Sequence, residues 1–80
     1  MGSYATQARY HAKKIERHHD HGGKAGYLEA KRHYGEMQEL MRRAFRAKNS
    51  KSKSDVAIIR LLMASCTPLM DAMKLKQDNG

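Results

Sequence analysis

The sequence predicts an all-α fold: a small three- to four-helix bundle with the make-up of a possible dimer. Apolar residues recur every three to four positions, as an amphipathic helix requires; the β-branched run near residue 58 would also suit a strand, but its length and the Ser54-Asp55 cap argue for a helix. Gly22-Gly23 and the polar run 49–54 interrupt that pattern. Eighty residues make one domain at most and bury a modest core, which a second copy could complete.

The first helix is expected over about 3–21. Ser3 is its N-cap and Gly22-Gly23 its stop. At 100° per residue, Ala5, Ala8, Ala12, Ile15 and His19 share one side, flanked by Tyr4 and His11. Arg9, Lys13 and Arg17 follow one another on the opposite side, with Tyr10 and Lys14 beside them. A mostly alanine face permits close approach and contributes little buried area.

A short flexible linker through Gly26 leads to a second, antiparallel helix over about 27–48. Its core face collects Tyr27, Ala30, Tyr34, Met37, Leu40, Met41, Ala44 and Phe45. Its polar face carries Lys31, Arg32, Arg42, Arg43 and Arg46, interrupted by Glu29, Glu36 and Glu39, with Leu28 out of place among them. Gly35 projects outward, at a bend or a close approach by a partner. The run 49–54 reads as a mobile linker.

A third helix is expected over about 55–66, with Ser54 as N-cap and Asp55 in its first turn. It is apolar on nearly every side, so it should be central or shared with a second copy. Pro68 then starts a short fourth helix over about 68–76, with Leu69, Met70, Met73 and Leu75 turned inward. The chain end should fray.

Charge is the strongest functional signal. The net charge is +8 with a pI near 9.9. Residues 1–53 hold thirteen of the sixteen Lys and Arg against five of the eight acids, so the whole excess lies there. Charge of this size points to anionic partners: nucleic acid, an acidic protein surface or an anionic membrane. The expected contact set is Arg9, Lys13, Lys14, Arg17, Lys31, Arg32, Arg42, Arg43 and Arg46 on the outer faces of helices one and two. Nucleic-acid binding, regulatory or accessory, is the first reading, although no zinc finger, basic zipper, homeodomain or RNA-recognition signature occurs. The alternative is an inhibitor or adaptor that docks the same cations on an acidic patch of a larger complex, as a phage-type accessory protein would. A homodimer through the apolar third helix is a further expectation.

No catalytic activity, metal or cofactor is expected. P-loop, G-x-S-x-G and H-E-x-x-H motifs are absent from the sequence, and the acids fall on outer faces. The run His18-His19-Asp20-His21 is unusual, but neighbours on a helix point about 100° apart, and His18, His21 and His11 fall short of the four ligands of structural zinc. Protonation of these imidazoles at mildly acidic pH would add to the basic charge. One cysteine, Cys66, excludes an internal disulfide and fits a cytoplasmic setting. No apolar run reaches the roughly 18 residues of a membrane span, so a membrane partner is not expected. Met1-Gly2-Ser3-Tyr4-Ala5-Thr6 matches a loose N-myristoylation pattern, a weaker route to a membrane surface.

Overall fold

The computed structural model describes residues 3–79, and Gly2, the residue that the myristoylation pattern would acylate, lies outside them. Three α-helices pack against one another, each touching both others, and no strand occurs among the described residues.

Helix α1 spans Tyr4–His21 and starts as read: the Thr6 amide donates to Ser3 Oγ at 3.1 Å. Ala5, Ala8, Ala12 and Ile15 are buried, and His19 is only half-buried at the edge of that stripe. The helix ends where the Gly22 amide donates to the His18 carbonyl at 2.8 Å. The turn that follows needs its glycines. A Cβ on Gly22 would stand 2.5 Å from the His18 carbonyl oxygen, and Gly23 has φ +59. The expected flexible linker is in fact a single 3-10 turn over Gly23–Ala25.

Helix α2 spans Gly26–Ala47 and buries Ala30, Met37, Leu40 and Ala44 as read, with Tyr27, Tyr34 and Met41 packed partly against them. Phe45 departs from the reading: it is 66% exposed. It lies some 80° round from Met37, at the edge of the apolar arc, and overhangs a groove instead of entering the core. Leu28 is exposed, as its position on the polar side implied. An added Cβ at Gly35 would meet nothing within 4 Å, so no close approach within the chain explains that glycine. Lys48, in the left-handed conformation at φ 51, ends the helix.

The second half differs most from expectation. One helix, α3, runs unbroken over Ser50–Asn79, replacing both the linker 49–54 and the separate helices at 55–66 and 68–76. Asn49 starts it. The Ser52 amide donates to Asn49 Oδ1 at 2.8 Å, and the Asn49 amide donates to Ser52 Oγ at 3.0 Å. This reciprocal cap satisfies two otherwise orphaned donors, so a serine- and lysine-rich run that suits a loop folds as the first turn instead. Ser52 is buried there, and Asp55, also buried, lies more than a turn inside the helix.

Pro68 sits mid-helix and exposed. It lacks the amide that would bond to the Ala64 carbonyl, a defect that costs about 3 kcal/mol. The helix continues because it is anchored on both sides of the defect: Ser52, Ile59, Cys66 and Met73 recur every seventh residue and are all buried. Val56, Leu62, Met63, Leu69 and Met70 fill the partly buried margins of this seam. Thr67 Oγ1 donates back to the Met63 carbonyl at 3.0 Å just before the proline.

A seam this narrow leaves α3 neither central nor enclosed. Leu61 is 72% and Leu75 63% exposed, so Leu75 does not turn inward. At 1.5 Å per residue thirty residues span about 45 Å, and 45 Å is the long dimension of the protein. The accessible surface of 5541 Å² exceeds the roughly 4,900 Å² of a compact monomer of this mass. With Pro68 no longer a boundary, the expectation about membrane-span length also changes. Residues 56–73 carry only Arg60 and Asp71 as charges, and α3 is long and apolar enough to cross a membrane by length and composition.

The cap and the proline give opposite expectations in urea unfolding. Asn49→Ala should cost about 1 kcal/mol, and Pro68→Ala should add stability, up to about 3 kcal/mol. A neutral Asn49→Ala together with a costly Ser54→Ala would place the helix start at Ser54 after all.

Candidate functional site

The nine cations expected on the outer faces of α1 and α2 do not gather in one groove. Arg9 and Lys13 line the α1–α3 groove with Glu16, Leu62, Cys66 and Leu69. Arg43 lines a cleft near the start of α1 with Lys51 and the buried Asp55. Lys14 lies with its ammonium 5.4 Å from the centre of the Tyr10 ring, a cation–π distance. Arg17 and Lys31 are exposed. Arg32 donates to Glu29 at 2.7 Å, while Arg42 and Arg43 each reach a Glu39 oxygen at 3.5 Å. Such exposed pairs are worth about 0.2–1 kcal/mol and yield readily to a competing anion.

The densest cluster is where α2 passes into α3. A groove of about 500 Å³ is lined by Phe45, Lys48, Lys53, Val56 and Arg60. It adjoins a smaller one of about 250 Å³ that Arg42, Arg46 and Met41 share with Phe45, Val56 and Arg60. Five cations therefore surround one exposed aromatic ring, with no carboxylate among the lining residues of either groove. Of these cations only Arg42 and Arg46 belong to the expected set. Lys48 and Lys53 were hidden by assignment to a helix end and a linker, and Arg60 by its apolar surroundings. With the helix capped at Asn49, Lys53 and Arg60 line the groove beneath Phe45, and Arg60 also shares the smaller groove with Arg42 and Arg46. Lysine alternating with serine beside an arginine-rich helix end was the available signal.

A second cluster joins α1 to α2. His11 Nδ1 and His33 Nδ1 are 2.8 Å apart, one ring donating and the other accepting. His18 stacks on His33 with centroids 5.8 Å apart, and ligand atoms of His18, Glu29 and His33 all lie within 4.8 Å of one another. Of the residues considered for metal, His18 and His11 thus face helix α2. The other two diverge: His21 is exposed, and His19 bonds Asp20 at 3.0 Å. His33 and Glu29 are the members that sequence reading missed, because the contact depends on the register between two helices.

Burial lowers the pKa of His11, with the Glu36 carboxylate working against it. Burial lowers that of His33 too, followed by repulsion from His11, His18 and Arg32, against attraction from Glu29. Burial pushes the Cys66 thiol up, which disfavours a reactive thiolate.

Because the folded pKa values of His11 and His33 lie below the usual 6.5, the unfolded chain binds more protons as pH falls through 6.5. The contribution of these two rings to stability is therefore full above that pH and is lost below it, until both are protonated in the folded state too. In chelator-containing buffer the urea midpoint should be lower at pH 5.5 than at pH 7.5, and His33→Gln should shrink the difference. Equal midpoints for the parent protein would contradict the cluster's burial.

No family description, curated protein or solved structure matches the chain.

Proposed function

We propose that this chain is a non-catalytic nucleic-acid-binding protein, regulatory or accessory, that works inside the cell. Its principal contact is the basic α2–α3 groove, and the outward cations of α1 and α2 extend it. One observation carries the reading: Arg42, Arg46, Lys48, Lys53 and Arg60 line the two grooves that share exposed Phe45, and no acid lines either groove. Cations supply affinity by neutralising phosphates and releasing counterions. An exposed aromatic ring among them offers a face on which an unpaired base stacks, worth about 1–3 kcal/mol per base. Arginines can hold a phosphate with two parallel bonds, and three of the five cations are arginines.

The outward side of α3 supports a second, compatible reading, the homodimer. Ala57, Leu61, Ala64, Pro68, Ala72 and Leu75 share this side, all uncharged and all exposed. Pairing two copies along it would cover the excess surface and present two basic grooves. Sedimentation of the free protein would then give twice 9.1 kDa, and a monomer at every concentration would contradict it.

The binding test is a salt titration with labelled single-stranded RNA and random duplex DNA. Five phosphate contacts imply a log–log slope of roughly −4 to −5 on duplex, a loss of several hundredfold between about 50 and 200 mM salt. Reversing Arg42, Arg46 and Arg60 to Glu should abolish binding. Reversing Arg9, Lys13 and Arg17 should leave most of it. Phe45→Ala should weaken single strands more than duplex. Absence of binding at the lowest salt would overturn the reading and transfer the basic surface to an acidic protein partner, as for an inhibitor or adaptor.

A further inference from the structure

The imidazole cluster between α1 and α2 plays no part in the basic groove. From its geometry we infer a zinc site, with His18, His33 and Glu29 as ligands and His11 as the residue that orients His33.

The donor set suits the ion. Two imidazoles, which are borderline donors, together with one carboxylate make a set that zinc takes readily, with a fourth position left for water. Zinc–ligand bonds of about 2.0–2.1 Å set ligand atoms roughly 3.3 Å apart around a tetrahedral ion. The three donors already lie within 4.8 Å of one another. The remaining closure is a rotation about the terminal torsions of histidine and glutamate, which are broad and soft. Stacked as they stand, the His18 and His33 rings do not aim nitrogens at one point, and with His33 held by His11 it is the His18 ring that turns.

The backbone beneath the site is less free to move. Ala8, Ala12 and Ala30 are buried in the core between the helices, and a Cβ on Gly26 would come within 2.7 Å of the His18 carbonyl oxygen. The helix positions that carry the donors are therefore set before an ion arrives. The bond between His11 and His33 occupies one nitrogen of the His33 ring and fixes its orientation, as an outer partner of a ligand histidine does. Arg32 holds one oxygen of Glu29 at 2.7 Å and is the main opponent of the ion. The second carboxylate oxygen remains for coordination.

A bound ion would clamp the amino-terminal helix to the second one in a fold whose core is rich in alanine. It would stabilise the folded state by mass action.

The test uses the full chain, freed of metal by a chelator and titrated with zinc chloride by calorimetry and thermal melting at pH 7.5. One ion per chain is expected. At 100 times its Kd, zinc should raise Tm by on the order of 10 °C. His33→Gln and His18→Gln should each remove the shift, and His11→Gln should weaken binding at least tenfold. The double variant His19→Gln/His21→Gln should bind as the parent does. Melting curves without zinc show whether each variant folds, and these part-exposed positions tolerate glutamine. Zinc binding that survives His33→Gln but is lost in the His19/His21 variant would assign the ion to the end of α1 and overturn the site. Absence of zinc binding by the parent protein would overturn it equally.

Discussion

The start of α3 governs the rest of the molecule. Reciprocal bonds between Asn49 and Ser52 turn a polar run into the first turn of a thirty-residue helix. From that start the register of α3 is fixed. Ser52, Ile59, Cys66 and Met73 fall on the core at successive sevens, and the helix passes Pro68 because contacts on both sides hold it. The same register sets Lys53, Val56 and Arg60 opposite Phe45 and the arginines of α2. A loop over 49–54 would scatter those cations.

The basic groove follows from a small core. Each helix buries a narrow stripe, and on α1 and α2 several of its members are alanines, so the axes approach closely and large side chains at the margins stay outside. Phe45 is exposed for that reason, while Leu61 and Leu75 lie on the side of α3 opposite its buried seam. Uneven charge then decides what the margins can do. At the α2–α3 junction the excess cations of residues 1–53 meet an exposed ring. Along the outward side of α3, where the chain is neutral, the same narrowness leaves an apolar row.

Much of this was legible in the sequence. Ser3, the alanine stripe of α1, the Gly22-Gly23 stop and the buried positions Ala30, Met37, Leu40 and Ala44 obey local rules that nothing in the packing opposes. Local rules misled at two places. Ser54-Asp55 is as good a helix start as Asn49 with Ser52, and only the burial of Ser52 decides between them. Pro68 is a helix breaker by propensity, and tertiary contacts at Cys66 and Met73 outweigh it. The histidine cluster was out of reach for another reason. His11 and His33 stand twenty-two residues apart, and their contact depends on how a tight glycine turn sets α1 against α2. The nine expected cations were identified by type and outward direction, but how they divide among the grooves is a property of the assembled helices.

Amide hydrogen exchange across residues 49–76 of the full chain tests the continuous helix most directly. A continuous helix gives protection that begins at the amides of Ser52 and Lys53, which donate to Asn49, and runs on past Pro68 through Met73 without a gap wider than the proline itself. Exchange at the rate of an unstructured chain over residues 52–56, or a second unprotected stretch after Thr67, would contradict it and would dissolve the groove on which the functional proposal stands.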